Sequence, residues 1–262
     1  MNKKILILIL VLSTVLTACI PKQDNAFKDL DIKEIGEEVK EEISGKLGQQ
    51  EQVQILKDYY ESIEKNISED QIINNIKDNI AKLDDKKADE MLIQLESFLY
   101  SKGYDAKKVT DKLSPFIDHA SDEFKSYFKI WKTETDNETT DGEGLNISAE
   151  EIIDRALEIE RHSLKFTGNI FKQKLDDLFK AYIGLSLKGL GNPYIFAKEG
   201  ETTLNPDLLE MYKQKIDNNQ GSRTAQVLDM YILELEKDSY NLNGDNVNYF
   251  YENIDNIIEA TK

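Results

Sequence analysis

Residues 88–99 read Ala-Asp-Glu-Met-Leu-Ile-Gln-Leu-Glu-Ser-Phe-Leu, which sets Ala88, Met91, Leu95, Phe98 and Leu99 three or four positions apart. Such spacing returns to one side of the chain only at 3.6 residues per turn, so it predicts an amphipathic helix with this stripe turned inward. The same period extends in both directions. Upstream, Val53, Leu56, Tyr60, Ile63 and Ile67 form one stripe, and Ile72, Ile73, Ile76, Ile80 and Leu83 form the next. Downstream, Ala106, Val109 and Leu113 predict a short helix that stops before Ser114-Pro115. Ser114 as N-cap and Pro115 as first helical residue then predict a helix that carries Ile117, Ala120, Phe124, Tyr127, Phe128 and Trp131 inward. Prolines stand only at positions 21, 115, 193 and 206, so long helices are permitted nearly everywhere, and strand-like alternation is almost absent. The expected fold is all-α, a bundle or bundles of about nine amphipathic helices.

Beyond Trp131 the period fails. Residues 133–146 contain no apolar side chain until Leu145, so they have nothing to bury and are expected to be a mobile acidic linker. Ser148 with Glu151 reads as a capping box that reopens the helical pattern with Ile152, Ala156 and Ile159. Phe171, Leu175, Leu178, Tyr182 and Leu185 follow and should end at Gly189 and Gly191, before Pro193. Tyr194-Ile195-Phe196 reads as a short extended piece. Later helices are expected after Asn205-Pro206, after Ser222, and over a last stretch carrying Val247, Phe250, Ile254 and Ile257. The resulting division is a signal over 1–19, a polar tether over 20–50, a helical domain over 51–133, the linker over 134–147 and a second helical domain over 148–262. Laying Asp70–Tyr104 over Pro206–Tyr240 pairs Ile72 with Leu208, Ile76 with Tyr212, Ile80 with Ile216 and Tyr104 with Tyr240, so two related helical modules are one reading of the halves.

The beginning of the chain carries an address. Lys3 and Lys4 precede the apolar run Ile5–Leu12 and then Leu16-Thr17-Ala18-Cys19. The run is shorter than the roughly 20 apolar residues of a spanning helix, and the small residues Thr17 and Ala18 suit a peptidase that needs slender side chains at the cut. The pattern resembles the lipobox of bacterial lipoproteins, a resemblance confined to residues 1–19. It implies cleavage before Cys19 and attachment of diacylglycerol to its sulphur, with palmitate-type acyl chains. The mature protein would then sit on the extracytoplasmic face of the cell membrane, anchored by lipid. Cys19 is the only cysteine, so the chain can form no internal disulfide.

Fifty acidic against 33 basic side chains give a net charge of −17, and removal of Lys3 and Lys4 makes the balance more negative still. Phosphate backbones and anionic headgroups repel such a chain, so nucleic-acid partners and electrostatic membrane adsorption are disfavoured, and the lipid must do the anchoring. No catalytic constellation stands out. There is no Gly-rich phosphate loop and no Gly-x-Ser-x-Gly elbow. Gly142 and Gly244, taken as the sixth place of a calcium loop, put Ser148 and Phe250 where a carboxylate is needed. His119 and His162 are the only histidines; Glu158 stands four before His162, but Glu-x-x-His fails there because Ile159 holds the third place. No metal ligand, cofactor or catalytic residue is therefore assigned.

Aromatic residues are the remaining binding candidates. Trp131, Tyr249 and Tyr251 are singled out, since the consecutive Tyr249-Phe250-Tyr251 cannot all face one core. The function expected is an acidic all-helical module that binds a protein or an envelope component. Two alternatives are a metal-assisted extracellular hydrolase using His119 and His162, and the solute-binding receptor of an importer. The second requires α/β lobes that the periodicity opposes.

Overall fold

The computed structural model describes residues 47–65, 67–141, 144–163, 169–189, 195–198 and 201–261. Within them the fold is all-α: eleven α-helices, with isolated bridges in place of strands. The signal and most of the tether lie outside the described residues. Contacts divide the chain into two compact units between Asp136 and Asn137.

The first unit contains α1 (Leu47–Glu64), α2 (Glu69–Asn79), α3 (Asp85–Ser101), α4 (Ala106–Leu113) and α5 (Asp122–Asp136). Short polar side chains start three of them. Ser68 and Gln71 form a reciprocal capping box at α2, while Asp84 and Asp105 accept from the third backbone N–H of α3 and α4. The stripe of α3 is buried as its spacing predicts, with Ala88, Met91, Leu95, Phe98 and Leu99 all inside. On α1 the inward face is rotated from the expected one: Tyr59 is fully buried beside Leu56, and Tyr60 is only half-buried.

The helix expected from Ser114 through Trp131 is two elements. Ser114–His119 winds as a 3-10 helix, Ala120 is extended, and α5 begins afresh at Asp122. Ser121 causes the restart. Its hydroxyl accepts from the Phe124 amide at 3.1 Å, and its own N–H and O–H donate to the Asp89 carboxylate on α3 at 2.9 and 2.6 Å. A residue bound from both directions caps a helix better than Ser114, which has no such partner across the fold.

The stretch expected as a linker, 134–147, is tied down where it is described. Helix α5 runs on to Asp136 because the Thr135 hydroxyl meets that of Thr110 on α4 at 3.0 Å, and Lys107 and Lys132 both pair with Asp136. The rest of the stretch opens the second unit. Asn146 donates to the Thr139 carbonyl, Thr140 bridges Leu145, and Thr139 and Thr140 are buried.

That unit contains α6 (Ala149–Ser163), α7 (Asn169–Lys188), α8 (Pro206–Asn218), α9 (Arg223–Lys237), α10 (Asp245–Glu252) and α11 (Ile254–Ala260). Helices α6 and α7 pack along one another, and α9 touches α6, α8, α10 and α11. Asn205 with Pro206 and Ser222 start α8 and α9 as their sequence signals predict. Helix α7 ends at Lys188, followed by Gly189 in the left-handed region at φ +57°, where a Cβ would lie 2.5 Å from a methyl group of Ile195. Tyr194 lies outside the described residues; Phe196 bridges Leu204, and Thr203 bridges Asn241.

The last expected helix is broken at Asn253, which shifts the register so that Ile254 and Ile258 are buried and Ile257 is only half-buried. The two proposed modules also pack differently: α8 lies along α9, whereas α2 leans chiefly on α1. They do end alike, since the Tyr104 amide N–H donates to the Leu99 carbonyl and the Tyr240 amide N–H to that of Leu235, the long bond of a Schellman turn.

Candidate functional site

Leu16, Thr17, Ala18 and Cys19 lie outside the described residues, so the candidate surface is built from the aromatic side chains. Along α5, Phe124, Tyr127 and Phe128 are core residues. The Phe124 and Tyr127 rings meet edge to face at 6.0 Å, and the Tyr127 hydroxyl donates to the buried Glu96 carboxylate at 3.2 Å. Burial, and then the Glu96 charge, push the Tyr127 phenol well above its ordinary pKa. Trp131 follows on the same helix, half-buried, and its indole N–H has no hydrogen-bond partner among the described residues.

The consecutive aromatic residues near the end of the chain separate as their spacing on α10 requires. Phe250 is buried, Tyr251 is half-buried and Tyr249 is 66% exposed. Tyr251 belongs to a group of phenols gathered at the last turn of α7. Its hydroxyl donates to the Leu187 carbonyl at 3.1 Å and lies 2.7 Å from the Tyr231 hydroxyl, while Tyr212 donates to the Ser186 carbonyl at 2.6 Å. The Tyr231 ring sits 6.2 Å from Tyr212, 5.3 Å from Phe250 and 5.8 Å from Tyr251. Lys188 lies over the Tyr251 ring at 5.4 Å and donates to the Tyr251 carbonyl.

Burial raises the pKa of all three phenols, and for Tyr251 the bond to Tyr231 offsets part of that rise. They stay protonated donors and serve as neither base nor nucleophile at neutral pH. Their chemistry is to satisfy carbonyls that the end of a helix leaves without intrahelical partners. Of the aromatic residues expected to bind, Tyr251 packs against the end of α7 while half-buried, and Tyr249 is the side chain of that trio that faces solvent. No local pattern marks Tyr212 and Tyr231 for this role, because their carbonyl partners lie 26 and 44 positions away.

Two charged residues hold the second unit together in ways their sequence neighbourhood does not announce. Arg155 is buried, and its guanidinium donates to the Asn137 carbonyl at 2.9 Å, the Thr139 hydroxyl at 3.2 Å and the Glu151 carboxylate at 2.8 Å. Glu151 therefore faces Arg155, beside a Ser148 hydroxyl that accepts from the Glu151 amide. Glu160 on α6 takes the first amides of α9, accepting from Arg223 N–H at 2.6 Å and from Thr224 N–H and O–H at 3.1 and 3.0 Å. A carboxylate at that end of a helix also meets the positive pole of its dipole.

His119 is exposed at the end of a 3-10 helix in the first unit. His162, in the second, has its Nε2 3.8 Å from Glu158. Among the described residues no group of three or more histidine, cysteine, aspartate or glutamate side chains is placed to hold a metal ion. No helix of the described residues is long and apolar enough to cross a membrane. Comparison with protein families, with curated proteins and with solved structures returns no match to this chain.

Proposed function

We propose that this protein is a lipid-anchored lipoprotein on the extracytoplasmic face of the cell membrane, whose acidic helical units act as a binding module for a protein or another envelope component. The observation that carries the reading is Leu16-Thr17-Ala18-Cys19 after a short apolar run with two lysines before it. Two further features support it. None of the described helices is long and apolar enough to span a bilayer, which is compatible with an acyl anchor. Arg155, Glu160, Asp136 and Asp238 are engaged in caps and ion pairs, a use of charge that suits a scaffold presenting a surface.

The test is metabolic labelling of cells with an alkyne analogue of palmitate, followed by purification and intact-mass measurement. Label should be present on the wild-type chain, lost in Cys19→Ala, and accompanied by release of that variant from the membrane fraction. Recovery of a wild-type product with an unmodified Cys19 thiol that diffuses freely would overturn the proposal. Cross-linking in intact cells, compared between wild type and Tyr249→Ser, reads the binding half: a specific cross-linked species is expected, and its absence in both removes the module reading while leaving the anchor intact.

A further inference from the structure

We draw no further inference here: the strongest candidate, the exposed apolar side chains of Leu233 on α9 and Tyr249 on α10, carries nothing because nothing in the structure shows what covers them.

Discussion

The hydroxyl of Tyr251 lies 2.7 Å from that of Tyr231, and both reach the Leu187 carbonyl, at 3.1 and 3.4 Å. Two side chains twenty positions apart thereby close the end of a helix more than forty residues upstream. The last carbonyls of α7 would otherwise face the flank of α9 and α10, where an unpaired acceptor is costly. Replacement of Tyr251 by phenylalanine keeps the ring over Lys188 and removes only the donor. It should lower stability by about 1–2 kcal/mol, the cost of leaving a buried acceptor poorly satisfied. Urea unfolding of the purified protein, with an unchanged slope and a lower midpoint, is the expected result; an unchanged midpoint would mean that water replaces the phenol without loss.

Arg155 should matter more than a surface arginine. Its removal takes the guanidinium donor from the Asn137 carbonyl and the Thr139 hydroxyl; Glu151, half exposed and still bonded by the Asn137 side-chain amide, loses little. Arg155→Ala is expected to cost about 2–3 kcal/mol, and the cost should be local. Hydrogen exchange at the Asn146 amide, which bonds the Thr139 carbonyl, should accelerate far more than at amides within α3. Uniform acceleration across both units would contradict the local role.

Gly244 is required by a neighbour and not by its own dihedral angles, which are extended at φ −69° and ψ 157°. A Cβ there would stand 2.2 Å from the Asp238 carboxyl group, which accepts from Asn246 Nδ2 at 2.6 Å and from the Val247 amide at 2.9 Å. Gly244→Ala must push Asp238 away and open the start of α10, at about 1–3 kcal/mol. Thermal unfolding of that variant should shift downward. Gly221→Ala is a different control, since nothing lies within 4 Å of its would-be Cβ and only its φ of +85° is strained.

Two aspartates predict opposite responses to pH. Bonds from Asn246 and Val247 hold the Asp238 carboxyl below the usual aspartate range, so its stabilising contribution is present above the unfolded pKa of about 4 and is lost as pH falls through the folded value. Burial holds Asp89 above that range despite its bonds from Ser121, so the folded state binds the proton more tightly than the unfolded chain and stability from this site falls as pH rises from about 4 through the folded value. Asp89→Asn keeps an acceptor for Ser121 and removes the half-buried charge. It should therefore gain stability relative to wild type as pH rises through that window, whereas Asp238→Asn should lose it. Denaturation midpoints measured at pH 3 and pH 7 separate the two signs, and parallel profiles for both variants would refute the assignment.

Much of the helical content is visible before folding is considered, because it rests on contacts three and four residues apart. The stripe of Ala88, Met91, Leu95, Phe98 and Leu99, the cap at Ser222, and Pro206 after Asn205 are each complete within one or two turns of chain. The errors fall where a local signal lost to a distant partner. Ser114 with Pro115 looked like a helix start, but Asp89 gives Ser121 the stronger claim. The polar run after Asp136 looked unable to bury anything, yet Arg155 converts Thr139 from a solvated side chain into a buried, bonded one. Tyr249 and Tyr251 looked alike in sequence, and only the position of Leu187 makes one a half-buried donor and leaves the other facing water.

The amino-acid order alone determined that the described chain is all-α, where most helices begin, and which face of α3 turns inward, since period and capping chemistry act within a single turn. It also carries the lipobox-like address, which is a pattern of residue types and needs no fold. Only the tertiary structure decided where α5 and α11 break from their expected starts, how Arg155 and Glu160 are spent, and which aromatic side chain stays exposed. The roles of Ser121, Arg155, Glu160 and Tyr251 each depend on a group brought to within 3.2 Å from 16 to 64 residues away, a proximity that exists only after the helices have packed.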